Sequence, residues 1–78
     1  MKEMLEVITK NIVDKPEKVV VKEIGGDSSS ILEIKVDKDD LGKMIGKKGK
    51  TAQAIRTLVY ASSFKQHKRY QVEIQAHA

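Results

Sequence analysis

Leu41-Gly-Lys-Met-Ile-Gly-Lys-Lys-Gly-Lys-Thr51 is the stretch on which the reading of this chain turns. Gly46 and Gly49 bracket two lysines, Lys47 and Lys48, with Lys43 and Lys50 outside them. Leu41, Met44 and Ile45 make one apolar helical turn, and Gly46 cuts it short. A glycine at each end lets the backbone turn sharply and leaves room for a close approach by another chain. The helix that starts after Gly49 presents unpaired N–H groups and the positive end of its dipole to the same place. Four mobile ammonium groups around such a turn suit the consecutive phosphates of a strand.

Working outward, Lys50 to Ser63 reads as an amphipathic helix, with Ala52, Ile55, Leu58, Val59 and Ser62 at helical spacing. Beyond it, Tyr70, Val72, Ile74 and Ala76 alternate with Gln71, Glu73 and Gln75, the pattern of a half-buried strand. On the other side, Asp37-Lys38-Asp39-Asp40 supplies helix-starting acids. Before it, Leu32, Ile34 and Val36 alternate with Glu33 and Lys35 in a strand over 31–36. Gly25 to Ser30 is a loop. The β-branched run Lys18 to Ile24 predicts another strand. Pro16 stops an N-terminal helix over residues 2–13, in which Leu5, Ile8 and Ile12 share a face beside Met4. The order is α-β-β-α-α-β. It predicts a layered fold of helices covering one face of a three-stranded sheet.

Composition bounds the function. The 78 residues make a single domain, and 40% hydrophobic with 33% charged residues suits a globular chain. The longest aliphatic or aromatic run is the four residues Leu58 to Ala61, far short of a membrane span. The acidic N-terminal segment has no apolar signal region. Without cysteine, disulfides, thiolate zinc sites and a cysteine nucleophile are excluded, and a cytoplasmic location is expected. His67 and His77 lack a matching ligand set, and Ser28 to Ser30 lack a partnering base, so neither a metal, another cofactor nor catalysis is expected. The net charge of +4 is unevenly spread: residues 1–40 sum to −3 and residues 41–78 to +7. A half-chain with eight bases and one acid fits a polyanionic partner. A solvated lysine-rich surface gives the same count.

The central loop admits three readings. Gly49-Lys50-Thr51 matches the tail of the nucleotide-binding pattern G-x-x-x-x-G-K-[ST]. The leading glycine then falls on Met44, and a helix precedes the loop where that pattern needs a strand. A lysine-rich helix–helix turn without a ligand is the second reading. For the third, Ile45-Gly46-Lys47-Lys48-Gly49 resembles the I-G-x-x-G signature of KH domains, which clamp about four nucleotides at this loop. The resemblance covers residues 4 to 76, and the element order is that of the type II, prokaryotic-like KH fold, an α+β fold. The chain is similar to small free-standing bacterial KH proteins. It departs from many KH domains in having Ala52 where they carry isoleucine.

The resemblance implies binding without a covalent step and no small-molecule substrate. Single-stranded RNA would pass over Gly46 to Gly49, with Lys47 and Lys48 on phosphate oxygens and Lys43 and Lys50 adding attraction. Bases would lie on an apolar groove of Ile45, Ala52 and Ile55, with Ile34 and Val36 near the adjoining strand edge. It further implies an RNA chaperone or post-transcriptional regulator, linked to bacterial cell division and cell-wall elongation. Binding as a homodimer or beside a second KH protein would add avidity. Two other readings stay open, single-stranded DNA binding and a KH-like module that binds protein. Leu58, Val59, Tyr60, Ala61 and Phe64 crowd one helix end. Most are expected in the core, and the excess over one helical face is a candidate dimer surface.

Overall fold

A computed structural model describes residues 1–77. The elements are helix α1 (Lys2–Ile12), strands β1 (Val20–Gly25) and β2 (Ser29–Val36), helices α2 (Leu41–Ile45) and α3 (Lys50–Gln66), and strand β3 (Arg69–Ala76). The sheet runs β1-β2-β3, antiparallel between the first pair and parallel between the second. The parallel pairing forces the chain to cross over between β2 and β3. Helices α2 and α3 make that crossover and hold the glycine–lysine loop between them.

The period-2 pattern of β2 sets the layers. Leu32, Ile34 and Val36 are fully buried, while Ile31, Glu33 and Lys35 between them are only half-buried. Val21 of β1 lies opposite Ile34, and Ile74 of β3 lies beside it. The three helices cover this face, adding Leu5, Met44, Ile55 and Val59 to one core. Each large aliphatic side chain so buried contributes about 1.5–3 kcal/mol relative to exposure. The order α-β-β-α-α-β and the one-sided cover agree with the fold expected from the sequence.

The differences lie at element ends and helix faces. Residues Pro16–Lys18 form a 3₁₀ turn, closed by the Val19 N–H donating to the Pro16 carbonyl at 3.1 Å, so β1 starts at Val20 and not Lys18. Strand β2 begins at Ser29, because β3 pairs with it from Arg69 onward. In α1 the buried line is Leu5, Thr9 and then Val13, while Met4, Ile8 and Ile12 flank it half-buried. Thr9 interrupts the apolar pattern, so periodicity puts the face one residue away. Of the five residues crowding the end of α3, only Val59 is in the core. Leu58 is 49% exposed, Tyr60 and Phe64 are each 65% exposed, and Ala61 is exposed as well. The expectation that most are buried is therefore corrected. Alternate i+3 and i+4 steps from Ala52 through Ile55 to Val59 already fill the one face that meets the sheet.

The acids before α2 divide their work. Asp37 caps the turn by accepting from the Asp39 N–H at 2.9 Å, and that bond, with nearby Lys15, holds its carboxyl below the usual range. Asp40 does something longer in range. Its side chain is 1% exposed and accepts from the N–H groups of Asp14 and Lys15 at 3.2 and 3.0 Å. This ties the start of α2 to the chain leaving α1. Asp40→Ala strands both donors, and hydrogen bonds to a charged group contribute about 1.5–3 kcal/mol. A urea midpoint lowered by an equivalent amount is expected, and an unchanged midpoint would show the link to be idle.

Candidate nucleic-acid interface

Gly46 ends α2 at φ 75°, ψ 173°, a conformation open essentially to glycine alone. Space forbids a side chain there too. A Cβ on Gly46 would stand 2.7 Å from Thr51 Cβ and 2.8 Å from its nitrogen, with Oγ1 closer still. Thr51 thus seals the inside of the turn, a role the sequence pattern did not reveal. Lys48 follows at φ 56° and Gly49 at φ 74°, both left-handed. Nothing lies within 4 Å of a Cβ built on Gly49. The loop is closed by the Gly49 N–H donating to the Gly46 carbonyl at 3.1 Å. The N–H groups of Lys47 and Lys48 come before that bond and have no partner within the turn.

Lys47, Lys48 and Lys50 are exposed, and among the described residues none of them is in an ion pair. Lys43 differs. Its ammonium pairs with Asp14 and is spent locally. The loop therefore presents, among the described residues, three unpaired cations around a turn that leads into the N-terminus of α3. Helix α3 itself, KTAQAIRTLVYASSFKQ, contains no acid.

The apolar residues expected beside the loop are placed differently. Ile45, at the last turn of α2, is 43% exposed and can meet a ligand. Ala52 and Ile55 are buried at 5% and 2%, and Ile34 and Val36 are at 0%. Strand β2 is the central strand, not an edge, so Ile34 and Val36 are core and not groove. This corrects the expected apolar groove: of its five residues only Ile45 is exposed, and Ala52, Ile55, Ile34 and Val36 are buried.

A family model described as KhpA/KhpB, KH domain, matches residues 2–74. The chain belongs to the KhpA/KhpB KH-domain family. It is 54% identical over 74 residues to the RNA-binding protein KhpA of Clostridium perfringens, covering 95% of this chain and 99% of the relative. It is 47% identical over 74 residues to the protein of the same name in Chlamydia trachomatis, covering 95% of each. Among solved structures, the KH fold of this chain matches part of Era, crystallised with MgGDPNP and nucleotides 1506–1542 of 16S ribosomal RNA. The TM-score is 0.63 at 20% identity, covering 96% of this chain and 29% of Era. That likeness is one of fold. Within the KH fold, the connection between α2 and α3 is the GXXG loop, and its four residues here are Gly46, Lys47, Lys48 and Gly49. No helix of the described residues is long and apolar enough to cross a membrane.

Proposed function

We propose that this KH domain binds single-stranded RNA by clamping its backbone at Gly46 to Gly49. The observation that carries the reading is the loop itself: unpaired Lys47, Lys48 and Lys50 around a turn that only glycine can make at position 46. Phosphates approach the unpartnered N–H groups of the turn, and the lysines close over them. Ile45 offers an apolar contact to a base. Phosphate contacts position the strand and carry no sequence information. With one exposed aliphatic contact there, discrimination between bases is weak. The relatives' name, RNA-binding protein, supports RNA as the ligand. A backbone clamp accepts single-stranded DNA by the same chemistry, so equal affinities for both would make the ligand the strand and not its sugar.

Such binding suits an RNA chaperone or post-transcriptional regulator in the bacterial cytoplasm, and the family resemblance extends the proposal to cell division and cell-wall elongation. The exposed flank of α3 around Leu58 supports a homodimer or pairing with a second KH protein, which light scattering over a concentration series reads directly. Weak single sites gain through such pairing.

Salt dependence tests the clamp. Neutralising about three phosphates predicts a slope of log affinity against log salt of about −2 for a single strand. Anisotropy of a labelled RNA should then show affinity falling by about 15-fold between ~50 and ~200 mM salt. A slope near zero contradicts a phosphate clamp.

A further inference from the structure

The three aromatic residues of this chain, Tyr60, Phe64 and Tyr70, all line one depression of about 980 Å³ at the far end of α3 from the GXXG loop. His67, Lys68 and Arg69 line it with them, and among the described residues no carboxylate does. Tyr60 and Phe64 meet edge to face at 5.0 Å and are each 65% exposed, so their outer faces are open. Tyr70 is fixed in place: its hydroxyl lies 3.0 Å from Gln66 Oε1, and the Lys68 ammonium sits 5.5 Å over its ring. That ammonium is also paired with Glu23 at 3.4 Å, so among the described residues the cation of the depression without an ion pair is Arg69. Open aromatic faces beside an unpaired cation match a nucleobase with its phosphate. A purely apolar partner would leave Arg69 buried without a counter-charge.

We infer that this cleft is a second single-stranded RNA site, on which bases of the strand held at the GXXG loop stack as it continues along α3. The inference rests on the clamp reading and extends it. Gln53, Thr57, Tyr60 and Phe64 follow i, i+4, i+7 and i+11 and so form one stripe from the loop to the cleft, with no acid on the helix. Leu58 stands about 120° away around α3 from Phe64, so of the candidate dimer surface the part around Leu58 lies on the other flank, while Tyr60 and Phe64 belong to the cleft. Seventeen residues of helix span about 25 Å, or about seven nucleotides at the spacing of a stacked strand.

The test compares unstructured oligouridylates of about four and about twelve nucleotides, lengths set on either side of that span. The chain has two tyrosines and no tryptophan, and both tyrosines line the cleft, so its tyrosine emission reports this site alone. The twelve-mer is expected to quench it and the four-mer to leave it nearly unchanged. Tyr60→Ala/Phe64→Ala is expected to weaken the twelve-mer by about tenfold, the loss of one stacked base, and to spare the four-mer. Both side chains are exposed, so circular dichroism should stay native. Unquenched tyrosine with a bound twelve-mer, or unchanged twelve-mer affinity in the variant, overturns the inference and leaves the clamp standing. A lower molar mass for the free variant also overturns it, because a second copy then occupies the cleft. Quenching by the twelve-mer that survives Lys47→Asp/Lys48→Asp, with four-mer affinity untouched, supports the cleft while removing the clamp.

Discussion

Lys47→Asp/Lys48→Asp is expected to weaken binding of single-stranded RNA by about 100-fold or more. In the proposed clamp each lysine would supply a charge-assisted contact worth about 1.5–3 kcal/mol, and two such contacts correspond to at least two decades in affinity. Reversal adds repulsion where attraction was. The fold should be indifferent. Both side chains are exposed and outside any ion pair among the described residues. The left-handed backbone at Lys48, φ 56°, suits aspartate at least as well as lysine. The exchange lowers the net charge from +4 to zero, so a charge-matched control is needed. Lys2→Asp/Lys10→Asp makes the same change on exposed positions of α1. Anisotropy titrations should show that control within a few fold of wild type. Equal losses in both variants would mean that overall charge, and not this loop, holds the strand.

Gly46→Ala carries the second large effect, on stability and binding together. The backbone conformation at Gly46 costs another residue about 1–3 kcal/mol. Overlap with Thr51 at 2.7–2.8 Å adds a cost of similar size, about 1–3 kcal/mol, because α3 begins there and cannot step aside. A domain of this length has about 4–12 kcal/mol in total. The urea midpoint should therefore fall steeply, and the remaining folded protein should bind RNA poorly, since the turn that aims Lys47 and Lys48 is gone. Gly49→Ala is the contrast. Its left-handed φ of 74° costs about 1 kcal/mol, and a methyl group there meets open space. The two glycines look alike in the motif, and only Gly46 is sterically enclosed. Matching losses at both positions would refute this account of the loop.

Most of the fold could be read from residue patterns because the sheet is one-sided. From Leu32 to Val36 in β2 and from Tyr70 to Ala76 in β3, inward apolar residues alternate with polar ones, and a one-residue slip would turn every side chain over. The short α2 was legible because Gly46 ends it. Helix faces were less legible. Thr9 is polar yet fully buried, and Tyr60 and Phe64 are aromatic yet exposed, so hydropathy misplaces both. At the site, the lysines were readable from the motif, but their electrostatic partners were not. The pairing of Lys43 with Asp14 joins positions 29 residues apart, and nothing local announces it. The base-contacting surface was misplaced for a related reason. Ile34 and Val36 belong to the central strand, and strand order comes from the crossover, not from the strand's own sequence. The role of Thr51 was not legible because it is steric, against a glycine five residues earlier.

In the proposed clamp, the backbone of a single strand sits on the turn from Gly46 to Gly49. Titrating the isotopically labelled protein with a short single-stranded RNA and following its amide resonances locates that contact. The largest, saturable shifts are expected on the N–H groups of Gly46 to Thr51, with the outer face of the sheet at Lys22, Glu33 and Glu73 silent. Saturable shifts that leave the Gly46–Thr51 amides unmoved would contradict it.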